Sequence, residues 1–211
     1  TKMFIEKTMN NSAATEYIFH RNNAVYLAKM YSNKSNALKE MNKAIETLPS
    51  YADDAELKKL YKDRAEIRLF AGDYKGALSD FINSDDIQFN DNLKVAMLFK
   101  EQGSYREAMQ YCNRILETDT TAYAGYACMS DLYSTIGRYD VSLRVWDLAI
   151  DRRPNVARSY VDRANIKKKL GDVSGYSKDM DKAREYSPNI DTESSITYDA
   201  IHPKVLNLSI R

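Results

Sequence analysis

Residues 72–81 read GDYKGALSDF, and the chain repeats itself as GSYREAMQYC at 103–112, GRYDVSLRVW at 137–146 and GDVSGYSKDM at 171–180. The four leading glycines stand 31, 34 and 34 residues apart. Helical patterning flanks each glycine on both sides. A unit of that length, with a turn residue between two helical stretches, is a helix–turn–helix repeat. Two short antiparallel helices cannot bury a face alone. Each pair therefore stacks on the next, and the core runs along the stack.

Composition agrees. Glycine (7) and proline (4) are too scarce in 211 residues for a β-sandwich or a Rossmann fold, so long helices are favoured. Charged residues make up 29% and apolar ones 44%, as in a soluble folded protein. With 31 basic and 30 acidic side chains the net charge is +1, which gives no reason to expect nucleic acid or an anionic membrane as partner. No window of 18 apolar residues exists to span a bilayer. No leader peptide is visible before the first repeat, and the first residue is Thr1. The compartment stays open between the cytoplasm and export after removal of a leader.

In detail the repeats resemble the tetratricopeptide family. An aromatic follows two residues after the glycine: Tyr74, Tyr105 and Tyr139. Small residues come three further on (Ala77, Ala108, Ser142) and seven before the glycine (Ala65, Ala96, Ser130, Ala164). Four after the first small position stands a larger side chain: Phe81, Cys112, Trp146 and Met180. Small residues packed against large ones let two helices approach closely. Ala37, Met41, Ala44 and Pro49 fit the same frame in a first repeat, where Ser32 replaces the glycine. Pro154 and Pro188 close the fourth and fifth.

The resemblance implies an all-α, right-handed α-solenoid of five repeats, at 18–51, 58–91, 89–122, 123–156 and 157–190. Residues 1–17 form an N-terminal segment suited to capping the array. Residues 191–211 form a C-terminal tail expected to be largely extended, from Pro203 and the alternation at Leu206, Leu208 and Ile210. Departures fall at Tyr176, too large for its contact position and expected to splay the fifth pair, and at Ile115, which replaces a small residue. Asp53 with Glu56 reads as a capping box. It lengthens the second repeat's first helix, expected to be the longest of its kind.

Catalytic chemistry finds no footing. His20 and His202 lie at opposite ends of the array, and a solenoid does not bring distant repeats together. No HExxH, CxxC or phosphate-binding loop occurs, so no catalytic residue, metal or cofactor is expected. Two cysteines build neither a disulfide framework nor a zinc site. Cys112 and Cys128 fall in consecutive repeats and read as two small buried apolar residues.

The chain's surface carries the functional expectation. In the resembling family the first helix of each repeat, helix A, lines the concave wall. Its inward positions here include Lys29, Lys59, Lys62, Lys100, Arg158, Lys168 and Lys169 against Glu66, Glu101 and Asp131, seven basic residues to three acidic. The reading is a non-enzymatic protein-interaction module or scaffold that takes a protein or peptide segment, acidic segments being favoured. Leu69, Phe70, Leu93 and Met97, flanked by Lys62 and Lys100, make the anchor site, with Arg158, Lys168 and Lys169 as a second basic stretch. The alternative is a structural subunit that forms homo-oligomers or docks within a larger assembly.

Overall fold

The computed structural model describes residues 2–31, 33–85, 87–190 and 196–203. Eleven helices follow one another: α1 (Lys2–Tyr31), α2 (Lys34–Glu46), α3 (Asp54–Ala71), α4 (Tyr74–Ser84), α5 (Phe89–Glu101), α6 (Tyr105–Thr118), α7 (Tyr123–Thr135), α8 (Tyr139–Arg152), α9 (Ala157–Lys169), α10 (Val173–Tyr186) and α11 (Ile196–Ile201). No strand occurs among the described residues. The odd-numbered helices from α1 to α9 are the A helices, and α2 to α10 are the B helices. The chain divides into two compact units, Thr1–Ile87 with Ile201–Arg211, and Gln88–Ala200. The boundary falls at the shortened step between the second and third repeats.

The repeat glycines end the A helices by one mechanism. All four have φ between +75° and +82°, the left-handed region that a side chain disfavours. At Gly72 the following amide, Asp73 N, donates to Arg68 O at 2.9 Å, and Gly72 N donates to Leu69 O at 3.0 Å. That pair of bonds satisfies carbonyls the helix leaves open. The first repeat's turn residue, Ser32, lies outside the described residues.

The small residues sit at the helix crossings. Ala65, Ala77, Ala96, Ala108, Ser142 and Ala164 are buried. In the fourth repeat Ser130 and Ser142 take the two positions, and their hydroxyls bond at 2.6 Å, which satisfies both in the core. Larger partners fill the adjacent space: Met41, Phe81, Trp146 and Met180 are all buried. The fifth pair is closed rather than splayed. Tyr176 lies at the edge of the core formed by Tyr160, Val161, Ala164, Met180 and Ala183, with the Lys168 ammonium 5.5 Å from its ring centroid.

Repeats two and five carry a charged clasp at positions that repeats three and four fill with apolar and aromatic side chains. In repeat two, Arg64 Nη2 donates to Asp80 Oδ1 at 2.7 Å and Arg68 Nη1 meets Asp80 Oδ2 at 2.8 Å. In repeat five, Arg163 Nη2 and Lys167 Nζ bind Asp179 at 2.7 and 2.8 Å. Arg163 also reaches back to Asp147 on α8 at 2.7 Å, tying the fourth repeat to the fifth. Burial pushes the Asp179 carboxyl up, but the bonds from Arg163 and Lys167 outweigh it, and the net shift is downward. The equivalent positions hold Val95, Phe99 and Tyr111 in repeat three, where Phe99 and Tyr111 stack at 5.5 Å, and Met129, Tyr133 and Val145 in repeat four.

Other expectations change as well. α1 runs unbroken through the segment set aside as a cap, so its 30 residues exceed the 18 of α3. α3 remains longer than α5, α7 and α9, which have 13 residues each, and its extension starts at Asp53, whose side chain accepts from Glu56 N at 2.9 Å. The tail is helical over Ile196–Ile201, while Leu206, Leu208 and Ile210 lie outside the described residues. Cys112 on α6 and Cys128 on α7 form a disulfide, with Cα atoms 5.6 Å apart and a sequence separation of 16. They face each other because the B helix of one repeat packs on the A helix of the next. Gly125 permits this approach, since a Cβ there would stand 2.6 Å from the Leu116 side chain. It offsets the bulk of Ile115 and Leu116 opposite.

Candidate functional site

Each compact unit presents its own A-helix face. In the first unit, α3 carries Lys62 half-buried, Leu69 buried and Phe70 half-buried against the core of Ala24, Ala28, Met41 and Ile67. The Lys34 ammonium sits 4.7 Å from the Phe70 ring centroid. Two ties hold α1 in place. Arg21 Nε donates to Asp63 at 2.5 Å, both side chains being buried. His20 Nδ1 bonds Glu40 on α2 at 2.8 Å.

In the second unit, Leu93 and Met97 of α5 are buried, Met97 to 2% exposure. With Leu69 also at 2%, three of the four anchor side chains expected from sequence belong to the cores of their own units. Lys100 on α5 donates to Asp131 on α7 at 2.7 Å, so its charge is spent between neighbouring A helices. Arg158 pairs with Asp162 one turn along α9 at 3.4 Å. Lys168 and Lys169 end the same helix and are exposed. The Lys169 ammonium lies 5.7 Å from the Tyr139 ring centroid.

A recess of about 130 Å³ opens on this face between α7 and α9. Tyr123, Ala127 and Ser134 line one side, Asn165, Ile166 and Lys169 the other, and Trp146 of α8 takes part from behind. The Tyr123 hydroxyl donates to Asp162. Burial first, then the Asp162 carboxylate, holds the Tyr123 phenol well above its ordinary range. Burial also raises Asp162. The Trp146 indole N–H is buried with no acceptor among the described residues. A buried donor left unpaired is costly.

Sequence reasoning passed over this recess. On α7 it is lined in part by the small residues Ala127, Ser130 and Ser134, and small side chains on a packed face leave room. Trp146 was legible as core and not as a side chain at the edge of a cavity. Among the described residues no cluster of His, Cys, Asp and Glu could hold a metal ion, and no helix is long and apolar enough to cross a membrane.

The architecture is that of tetratricopeptide-repeat proteins, an all-α repeat fold. Neither a family model nor a curated protein matches the chain. Solved structures do. One is YrrB, described as a TPR protein with an unusual peptide-binding site, at 16% identity, a TM-score of 0.58, and coverage of 88% of this chain and 93% of that one. Another is MamA, at 14% identity and a TM-score of 0.62, covering 82% of this chain and 93% of that one. A third is a tetratricopeptide repeat protein from Parabacteroides merdae, at 16% identity and a TM-score of 0.52, covering 82% of this chain and 80% of that one.

Proposed function

We propose that this chain is a non-catalytic protein-interaction module that binds a protein or peptide segment on the A-helix face of its repeats. The observation that carries the reading is the recess on α7 and α9, lined by Tyr123 and Trp146 with Lys169 beside them. Aromatic rings and a nearby cation suit an extended segment that offers an acidic side chain. Lys168 and Lys169, exposed at the end of α9, favour acidic flanks. Arg158 and Lys100 act as supports, since Asp162 and Asp131 already neutralise them. On the first unit's own A-helix face Lys62 and Phe70 are partly accessible and Leu69 is packed beneath; on the second unit's face Leu93 and Met97 are packed beneath.

Screening the full chain against an arrayed peptide library tests this. Acidic peptides should be enriched, and Lys168→Glu with Lys169→Glu should abolish that enrichment while the helical signal and melting curve stay unchanged. Enrichment indifferent to both substitutions would reject the site.

A second reading, a subunit docked in a larger assembly, is favoured by a different feature. Leu116, Tyr126, Met129, Val145 and Leu148 line a mostly apolar groove of about 420 Å³ on the B-helix side of the second unit. Sedimentation of the purified chain separates the two, because Leu148→Lys should lower the mass of an assembly built on that groove and leave peptide binding intact.

A further inference from the structure

The C-terminal segment of the second unit lies on the face just described. Ile196 and Thr197 line the same recess as Tyr123, Trp146 and Ile166. Thr197 is only 7% exposed. Ile196, Asp199 and Ala200 line a second hollow, of about 250 Å³, with Leu93 and Lys94 of α5. Residues 196–200 therefore reach from α9 and α7 to α5, across three A helices, after Ile190 has packed on the core of the fifth repeat.

From this geometry we infer that residues 196–200 are a built-in occupant of the A-helix face, which a binding partner must displace. The inference rests on that face being the binding surface. A helix of six residues is far too short to hold itself together in water. Its order comes from the surface it sits on, so releasing it costs little beyond the contacts of a few side chains. Ile196 and Thr197 supply an aliphatic group and a hydroxyl at the aromatic recess. Asp199 supplies a carboxylate in the hollow that Lys94 lines. A competing segment has the same chemistry: an aliphatic residue, then a hydroxyl or other acceptor, then an acidic side chain within a turn.

The chain itself provides the probe. A fluorescent synthetic peptide with the sequence of residues 194–203 is titrated with the parent and with the full-length Ile196→Arg/Thr197→Arg variant. The variant should bind it roughly tenfold more tightly or better, the penalty expected when the site stands open a tenth of the time or less. A scrambled peptide should bind neither. Asp199 is exposed, so Asp199→Lys keeps the fold and serves as the second variant, with an intermediate gain expected. Equal affinity for the parent and both variants overturns the inference. So does a parent dimer that falls apart in the double variant, because the segment would then be seated on a second copy. The probe is the chain's own sequence, so failure of the acidic-peptide screen would count against the proposed function and leave this result standing.

Discussion

The Cys112–Cys128 bridge allows a calculation. The two residues stand 16 apart and join consecutive helices. Closing a loop of that size removes about 10 cal/mol/K of entropy from the unfolded chain, worth about 3 kcal/mol at 25 °C. For a chain of this length each kcal/mol moves the melting temperature by about 2–4 °C, so the bridge should be worth roughly 6–12 °C. Both cysteines are fully buried, and a reductant reaches the sulfurs only when the second unit opens. Native protein should therefore keep the bridge in moderate reductant and lose it on brief unfolding. The assay is a thermal melt of three samples: oxidised parent, parent reduced while unfolded and then refolded, and Cys112→Ala/Cys128→Ala. The last two should melt close together and well below the first. If all three melt within about 2 °C of one another, loop closure is not what this contact contributes.

Asp80→Ala should destabilise the first unit by roughly 3–5 kcal/mol in urea titration, because it strands Arg64 and Arg68 against a buried site. Ala108→Leu should cost about 1–3 kcal/mol, since this buried position has no room for three more carbons; a melt equal to the parent would mean the repeat frame is misassigned. Glu40 is held down to about 2 from 4.5, first by the hydrogen bond from His20, with Lys43 and Asn23 adding to it. A depressed carboxyl stabilises the fold above its unfolded value, and that contribution drains away as pH falls from 4.5 through about 2. Glu40→Gln should lower stability at neutral pH and flatten the acid limb of the pH–stability curve measured by urea midpoints.

The fold was legible where backbone conformation restricts the choice of residue. A glycine at +76°, such as Gly137, is hard to replace, so the turns declared themselves through spacing alone. The small residues at helix crossings were equally plain, because steric exclusion leaves a compositional mark. Residues 2–17 were missed because no glycine or proline interrupts them and their apolar pattern is weak. α11 was missed because tertiary support holds it and its own propensity does not. The bridge could have been found. Cys112 lies nine residues after one glycine and Cys128 nine before the next. Trp146 and Asp162 hold the same frame one repeat later and line one recess. Leu69, Leu93 and Met97 are packed in the cores of their own units, and periodicity does not separate a large apolar residue on an A helix that fills a core from one that meets a ligand.

The clasp on Asp179 has a consequence for assembly of the chain. A protein made of look-alike modules can misfold by pairing a helix with the copy next door, a displacement of 34 residues that preserves most of the apolar pattern. Were α10 to take the place of α8 against α7, the Asp179 carboxylate would face Met129 and Tyr133 with no cation within the repeat to meet it. Such a buried, unpaired charge is prohibitive, whereas Val145 in the native arrangement is at ease there. Arg163 would lose its partner at the same time. One acidic residue thus acts as an address label that keeps α10 out of the apolar third and fourth repeats, since repeats two and five are the ones that hold a pair of cations in this frame.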